Sequence, residues 1–459
     1  MGILDRFKKK KSAPEAPAAQ PQSAPVQEPQ QAPAQEDDTP RGFPSFLMVV
    51  PRDVEEIKDL DALMHHLRTA LEADSTVEIL QFGTDDEGMP RLSLGYQDET
   101  YEINLIPETF QLDGLYRLCH DLPQEDLEQL TEVIGVTVQT FFHEDVQAGL
   151  HLQLKVLNAL LENPLAVVDF SRERVLSPVW LRMAAESAVP PALSYLFSIQ
   201  AVADNEHSAW LHSHGLYRCG YPEVEALNVP HDRVPMVGEI LSCFAETILD
   251  RGGFPPEDQP VCLARISEEE LLLVSWRRWE NCMEEYPADC LGVGENRDES
   301  HRGPSAVVSF YNSPEDADAQ RRLPLAQLDP ERYQHPIYNL STEETERMQA
   351  LAVERLDWLR KGLTLPDAKA IVKMGLDQDE DRAEEDDFYN GKEHIWMEVQ
   401  TLKEDTVVAQ LINEPYFIRA LHMGDELEVE LSRLTDWRLF ARERQITPDE
   451  VYLLADLQE

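Results

Sequence analysis

Histidines and acids concentrate in one stretch of the chain and give its clearest chemical signal. His207, His212 and His214 lie close together, and Cys219 follows them. Side chains two residues apart share one face of a strand, so His212 and His214 can both reach one metal ion. The sequence offers four further ligands nearby: Glu206, Glu223, Glu225 and His231. The pattern also suits polar histidines at a strand end that hydrogen-bond to loops, and this structural interpretation is favoured.

A second candidate is the aromatic–cationic cluster of Trp276, Arg277, Arg278 and Trp279. Such clusters anchor protein partners through stacking and cation–π contacts. We therefore take Trp276, Arg277 and Trp279 as candidate partner-binding residues. The alternative interpretation is the end of a strand with buried tryptophans.

Asp425, Asp436 and Trp437 are a third candidate set for partner binding. Asp425 follows Gly424, and this pair is typical of a turn in which Gly permits a positive φ and Asp accepts backbone N–H bonds. Trp437 suits a core position. The turn and core interpretation is favoured over a functional pocket.

Other catalytic motifs are missing from the sequence. It contains neither a G-x-S-x-G elbow nor a phosphate-binding G-x-x-x-x-G-K-[ST] loop. Gly292-Val-Gly294 lacks the third glycine of a dinucleotide-binding turn. The sequence therefore predicts no catalytic residues and no cofactor, and a non-enzymatic role is favoured over an enzyme.

The composition narrows the class of partner. The 459 residues include 87 Asp and Glu against 40 Lys and Arg, a formal net charge of −47. Such a surface disfavours nucleic acid, because binding phosphates requires Lys and Arg. A negative field steers cationic partners instead, which predicts a protein partner, with a basic protein as the most concrete case.

The cysteines and the apolar residues indicate a cytoplasmic protein. The six cysteines form no C-x-x-C pair and are too sparse for a disulfide scaffold. No apolar run reaches the roughly 18 residues of a membrane-spanning helix, so no stable membrane insertion is expected. Ile3, Leu4 and Phe7 beside four lysines allow at most a weak peripheral contact of residues 1–11 with an anionic membrane.

The chain reads as a multi-domain α+β protein with mixed and antiparallel sheets and packed helices. Residues 1–44 are predicted to be a disordered tail with a basic start, rich in Pro, Ala and Gln. We predict an N-terminal α+β domain (45–163), a central α+β domain (164–376), an acidic linker (377–387) and a small α+β module (388–459). Helical patterns are assigned at 54–73, 126–134 and 146–161.

Two stretches resemble bacterial families. In the last module, four segments together resemble a YegJ-like domain of unknown function: Lys392-Glu-His-Ile-Trp-Met-Glu-Val, Asn413-Glu-Pro, Gly424-Asp425 and Asp436-Trp437. Trp210-Leu-His-Ser-His-Gly-Leu and Gly220-Tyr-Pro-Glu-Val-Glu resemble a larger uncharacterised bacterial family that often carries this module at its C-terminus. The resemblance implies the architecture and a bacterial cytosolic origin, but no catalytic residue.

The sequence thus predicts an acidic interaction protein of unknown function. Its alternative is a metal-dependent hydrolase that uses His212 and His214.

Overall fold

A computed structural model describes residues 42–458 apart from 87, 113, 115, 204–207, 267–269, 298–300, 302, 333–336, 339–341 and 380–390. The chain divides into two compact units, one spanning Pro40–Arg347 and the other including Met348–Glu459. Both helices and mixed or antiparallel sheets are prominent, so the predicted α+β class is confirmed.

The Pro40–Arg347 unit begins with an eight-stranded sheet. Its strands are β1 (Ser45–Val50), β2 (Glu78–Thr84), β3 (Pro90–Tyr96), β4 (Glu99–Gln111), β5 (Arg117–Leu118), β6 (Glu132–Thr140), β7 (Ala166–Asp169) and β8 (Arg174–Leu176). Their order is β2-β3-β4-β6-β1-β7-β8-β5. The sheet therefore continues past residue 163 into β7 and β8. The accompanying helices are α1 (Leu60–Ala73), α2 (Gln124–Leu127), α3 (Val146–Leu160) and α4 (Pro178–Glu186).

Helix α3 lies in the centre of this part of the core. The Asp145 side chain caps it by accepting a hydrogen bond from the backbone N–H of Ala148 at 2.9 Å. Most of its residues are buried, including polar ones, as expected for a helix that is packed on all sides. The buried Gln153 amide donates to the carbonyls of Val138 and Ser45, so its polar atoms are satisfied by β6 and β1.

The helix predicted at 126–134 is wrong. The chain leaves α2 after one turn and enters β6, where Val133, Val136 and Val138 are buried. Strand β6 pairs with both β1 and β4. A Cβ at Gly135 would lie 2.5 Å from the Val49 carbonyl oxygen, so this glycine permits the close approach of the two strands. Pairing on both edges overrides the local helical pattern.

A second, seven-stranded sheet completes this unit. Its strands are β9 (Ser198–Ala203), β10 (Ser208–His214), β11 (Glu223–Pro230), β12 (Val261–Arg265), β13 (Leu271–Arg278), β14 (Ser305–Tyr311) and β15 (Ile337–Tyr338), with helices α5 (Val234–Asp250) and α6 (Pro314–Asp318). Their order is β15-β12-β13-β14-β11-β10-β9. Strands β11 and β14 run parallel, whereas β10 pairs antiparallel with β11. The end of β10 and the starts of β11 and β14 therefore lie next to one another at one end of the sheet.

A buried ion pair joins the two sheets. Arg218 follows β10 and is fully buried, and its guanidinium donates to both carboxylate oxygens of Asp169 in β7 at 3.1 and 3.2 Å. It also donates to the Ser45 hydroxyl in β1 and to the Leu196 carbonyl. This bidentate ion pair and the further hydrogen bonds hold the segment after β10 against the first sheet.

The unit that includes Met348–Glu459 is built on a six-stranded antiparallel sheet. Its strands are β16 (Lys369–Asp377), β17 (Lys392–Leu402), β18 (Thr406–Leu411), β19 (Glu426–Glu430), β20 (Leu434–Ala441) and β21 (Arg444–Ile446). Their order is β19-β18-β17-β16-β20-β21, so the sheet includes a strand that precedes residue 377. The helices nearest in sequence are α7 (Thr342–Glu354) and α8 (Leu356–Gly362).

Several predicted segments lie wholly or partly outside the described residues. The tail is outside up to residue 41, and the acidic linker is outside from residue 380. Within the described part of the chain, every helix is too short or too polar to cross a bilayer.

Candidate metal centre

His212 and His214 lie on one face of β10, beside the start of β11. His212 is directly opposite Glu225 in the antiparallel pair, and it is 2% exposed. The Nε2 atoms of His212 and His214 are 3.0 Å apart. The structure thus brings together the two histidines whose spacing suggested a shared face, and metal binding by this pair stays a prediction.

A third histidine, which sequence analysis missed, completes the group. His301 lies in the segment that leads into β14, and its Nε2 is 3.0 Å from that of His212 and 3.4 Å from that of His214. Among the described residues, His212, His214 and His301 form the group of side chains that could hold a metal ion. His301 is 89 positions from His212, so no sequence spacing relates them.

The three nitrogens have the spacing of a tetrahedral zinc site. Zinc–imidazole bonds of about 2.0–2.1 Å at tetrahedral angles place ligand nitrogens about 3.3 Å apart. The observed separations of 3.0, 3.0 and 3.4 Å fall close to this value. The three imidazole nitrogens would fill three of the four positions of a tetrahedral zinc site.

Glu225 and Arg297 link the strand opposite His212 to the segment that carries His301. Glu225 is fully buried and accepts from the Trp210 indole at 2.8 Å and from Arg297 at 2.9 and 3.2 Å. Arg297 also donates from Nε to the His301 carbonyl at 2.6 Å. One hydrogen-bonded chain therefore connects the strand opposite His212 to the backbone of His301.

Glu223 fixes the turn that follows His214. Its carboxylate accepts from the backbone N–H groups of Gly215 and Tyr217 at 2.8 and 3.2 Å, and from the Ser213 hydroxyl. Gly215 has a φ of 114°, and a Cβ there would lie 2.5 Å from the Leu196 carbonyl oxygen, so only glycine fits this turn. Loss of water around the carboxyl raises the pKa of Glu223, and these hydrogen bonds oppose the shift.

The histidines line a cavity of about 550 Å³. Aromatic side chains form much of its wall, and the start of the described chain, Gly42 and Phe43, lies along it. The cavity size falls in the range of small-molecule sites. The arrangement can therefore hold an ion that faces both the imidazoles and a space for a ligand.

Comparison with known protein families assigns most of the chain. Residues 45–191 match "Protein of unknown function (DUF4026) N-terminal" and residues 199–309 match "Protein of unknown function (DUF4026) C-terminal". The two parts together span more than half of the chain. The chain belongs to the DUF4026 family. Residues 341–448 match "Uncharacterized protein conserved in bacteria (DUF2314)".

The DUF4026 and DUF2314 matches confirm the predicted resemblance to uncharacterised families. The YegJ name is not part of these descriptions and stays a prediction. Neither a curated protein nor a solved structure matches the chain.

Cys219 and His231, two other proposed ligands, do not join the histidine cluster of the described residues. Burial raises the pKa of the Cys219 thiol to about 12, so it is a poor thiolate ligand. His231 is exposed and follows the far end of β11. Glu206 and His207 lie outside the described residues.

The aromatic–cationic cluster is largely internal. Trp276 is 9% exposed and donates to the Pro255 carbonyl. Arg277 forms a bidentate pair with Glu285, and this carboxylate raises the pKa of the guanidinium. The centroid of the Trp279 ring lies 4.5 Å from the guanidinium carbon of Arg297, the residue that donates to the His301 carbonyl. Partner binding by these residues stays a prediction.

The DUF2314 candidates occupy turn, sheet and core positions. Asp425 accepts from the backbone N–H of His422 at 2.8 Å, as in a turn. Trp437 is fully buried and donates to the Ala352 carbonyl. Asp436 is 5% exposed, and its burial raises the pKa of the carboxyl to about 6. Partner binding by these residues stays a prediction as well.

Proposed function

We propose that this DUF4026 protein binds a zinc ion through His212, His214 and His301 and uses it to hydrolyse a small molecule. The observation that carries the proposal is the convergence of three Nε2 atoms within 3.0–3.4 Å of one another. Hydrogen bonding alone is a poor explanation for three mutually close imidazole nitrogens, because a neutral imidazole has one donor to share.

The ligand set favours zinc over harder cations. Imidazole nitrogen suits zinc and its transition-metal neighbours, whereas calcium and magnesium prefer oxygen. The Arg297–Glu225 pair holds the backbone at His301 through the His301 carbonyl, and this contact positions one of the three histidines.

The open fourth position favours catalysis over a structural role. Structural zinc sites are closed by four protein ligands, whereas catalytic sites commonly use three plus water. When bound, zinc lowers the pKa of water to about 7 and polarises a carbonyl. In the hydrolysis we propose, the water oxygen bonds to the acyl carbon and the bond to the leaving group breaks. One water proton passes to the leaving group and the other to solvent.

Metal analysis of the purified protein tests the proposal. We expect about one zinc ion per chain, with loss of zinc in His301→Ala and retention in His65→Ala, an exposed histidine of α1. The zinc-loaded protein should hydrolyse a p-nitrophenyl ester faster than His301→Ala does. Sub-stoichiometric metal after reconstitution, or equal rates in the two proteins, would contradict the proposal.

The net charge of −47 supports a second role, that of an acidic protein which docks a basic partner. A pull-down at low and at high salt tests it. A partner retained only at low salt is the expected outcome, and no partner in either condition would remove its main support.

A further inference from the structure

We infer that the cavity over His212, His214 and His301 selects an uncharged aromatic ligand. The inference rests on the proposed function and narrows it, because it names the chemical class that reaches the metal.

Phe43 forms a fixed aromatic wall of the cavity. Phe43 is 62% exposed, and its ring meets the Tyr217 ring edge-on at a centroid distance of 5.7 Å. The backbone N–H of Phe43 donates to the Tyr217 carbonyl at 3.2 Å, and a Cβ at Gly42 would lie 2.6 Å from the same oxygen. A large apolar ring that is held in place yet left open to solvent is suited to cover a ligand.

Further aromatic surface lies on the metal side of the cavity. The Trp210 ring packs 4.2 Å from the His212 ring and 4.8 Å from the His301 ring, and Tyr221 lines the same space. A ligand atom bonded to the ion would therefore lie beside aromatic faces and edges, which favour a second aromatic ring in stacked or edge-on contact.

The charged side chains of the wall are already engaged with the protein. Arg297 is paired with Glu225, and both carboxylate oxygens of Glu223 accept hydrogen bonds, one from the Ser213 hydroxyl in β10 and the other from backbone N–H groups of the turn after His214. A phosphate or carboxylate ligand could pair with Arg297 only by breaking its buried ion pair with Glu225, and it would lie beside the carboxyl groups of Glu223 and Glu225. A neutral ligand needs only the ion and the aromatic walls.

The size of the cavity agrees with this class. A dry apolar cavity of about 150 Å³ accommodates benzene. The cavity over the histidines, at about 550 Å³, has room for one or two rings and a metal-binding group.

Hydroxamic acids provide the test, because the free acids are neutral near pH 7 and chelate zinc with release of one proton. Calorimetry on the zinc-loaded full chain should show benzohydroxamate binding at least about tenfold more tightly than acetohydroxamate, since a phenyl ring is buried. Inorganic phosphate should bind more weakly than benzohydroxamate. Phe43→Ala should reduce the preference several-fold and leave zinc content unchanged. The matched control is Leu80→Ala, an exposed apolar side chain of β2 that lies outside the cavity wall.

The outcomes separate the two proposals. Failure to load zinc contradicts the proposed function. Normal zinc loading with equal hydroxamate affinities, with phosphate as the better ligand, or with an unchanged preference in Phe43→Ala overturns this inference alone.

Discussion

Arg297 is the residue whose replacement should weaken metal binding without removing a ligand. Arg297→Lys keeps the positive charge but cannot reach Glu225, Ser305 and the His301 carbonyl together, because lysine lacks the planar fork. Losing a contact that orients a metal ligand costs about 10–100-fold in affinity. We expect that loss in a zinc competition titration.

The control for this change is Arg91→Lys. Arg91 forms an exposed pair with Glu102 on the first sheet, and such pairs contribute little. Equal zinc affinity in the two variants would show that the Arg297 chain does not orient His301.

Asp436 should make stability depend on pH. Its pKa of about 6 exceeds the ordinary 3.8, so the folded protein holds the proton more tightly than the unfolded chain. The carboxylate therefore lowers stability progressively as pH rises from about 4 to 6, by at most about 3 kcal/mol. Asp436→Asn removes the charge and should stabilise the protein, by about 1 kcal/mol more at pH 8 than at pH 5.

Urea denaturation of both proteins at the two pH values measures this difference. Asp405→Asn, at an exposed position, should have the same effect at both. If Asp436→Asn also behaves alike at pH 5 and pH 8, the carboxyl does not titrate in this interval.

The three histidines show which part of the site the sequence alone predicts. The i, i+2 spacing was enough to predict that His212 and His214 share a face. His301 could not be found this way, because it reaches the site through the parallel pairing of β11 with β14, a contact between distant segments. The structural interpretation of His212 and His214 was therefore favoured on the basis of two histidines, without the third that lies beside them.

At the scale of elements, periodicity predicted those with a clear local pattern. The helix assigned at 146–161 is α3, and its cap at Asp145 marks the start. The helix assigned at 54–73 is interrupted, because Asp59 caps a new helix at Leu60 after a short 3₁₀ turn. Strand β6 was missed because its partners on both edges, β1 and β4, are distant in sequence.

The packing of α8 on the last sheet can be tested at Gly362. A Cβ at this position would overlap the side chain of Leu439 in β20, which is fully buried, and would lie 3.3 Å from Leu454. Gly362→Ala should therefore destabilise the protein by about 1–3 kcal/mol, despite the better helix propensity of alanine.

Thermal unfolding measures this effect, with Gly253→Ala as the control. No heavy atom lies within 4 Å of a Cβ built at Gly253, so that change should be near neutral. Equal melting temperatures for the two variants would mean that α8 can move away from the sheet without cost.

At the scale of the whole molecule, the division into two units predicts which part of the chain zinc binding should stabilise. All three histidines belong to the Pro40–Arg347 unit, and none belongs to Met348–Glu459. Binding to the folded state stabilises it by about 2.7 kcal/mol at a free zinc concentration of 100 times Kd. We therefore expect zinc to stabilise the Pro40–Arg347 unit and not the unit that includes Met348–Glu459.

Hydrogen exchange with and without zinc can localise the gain. We expect slower exchange in peptides from β10, β11 and β14, whose strands hold the ligands or begin beside them, and unchanged exchange in peptides from β16 to β21. The His301→Ala protein should show no zinc effect, because two imidazoles hold zinc far more weakly than three. Protection confined to β16–β21 would place the ion elsewhere, and uniform protection would mean that the two units unfold as one.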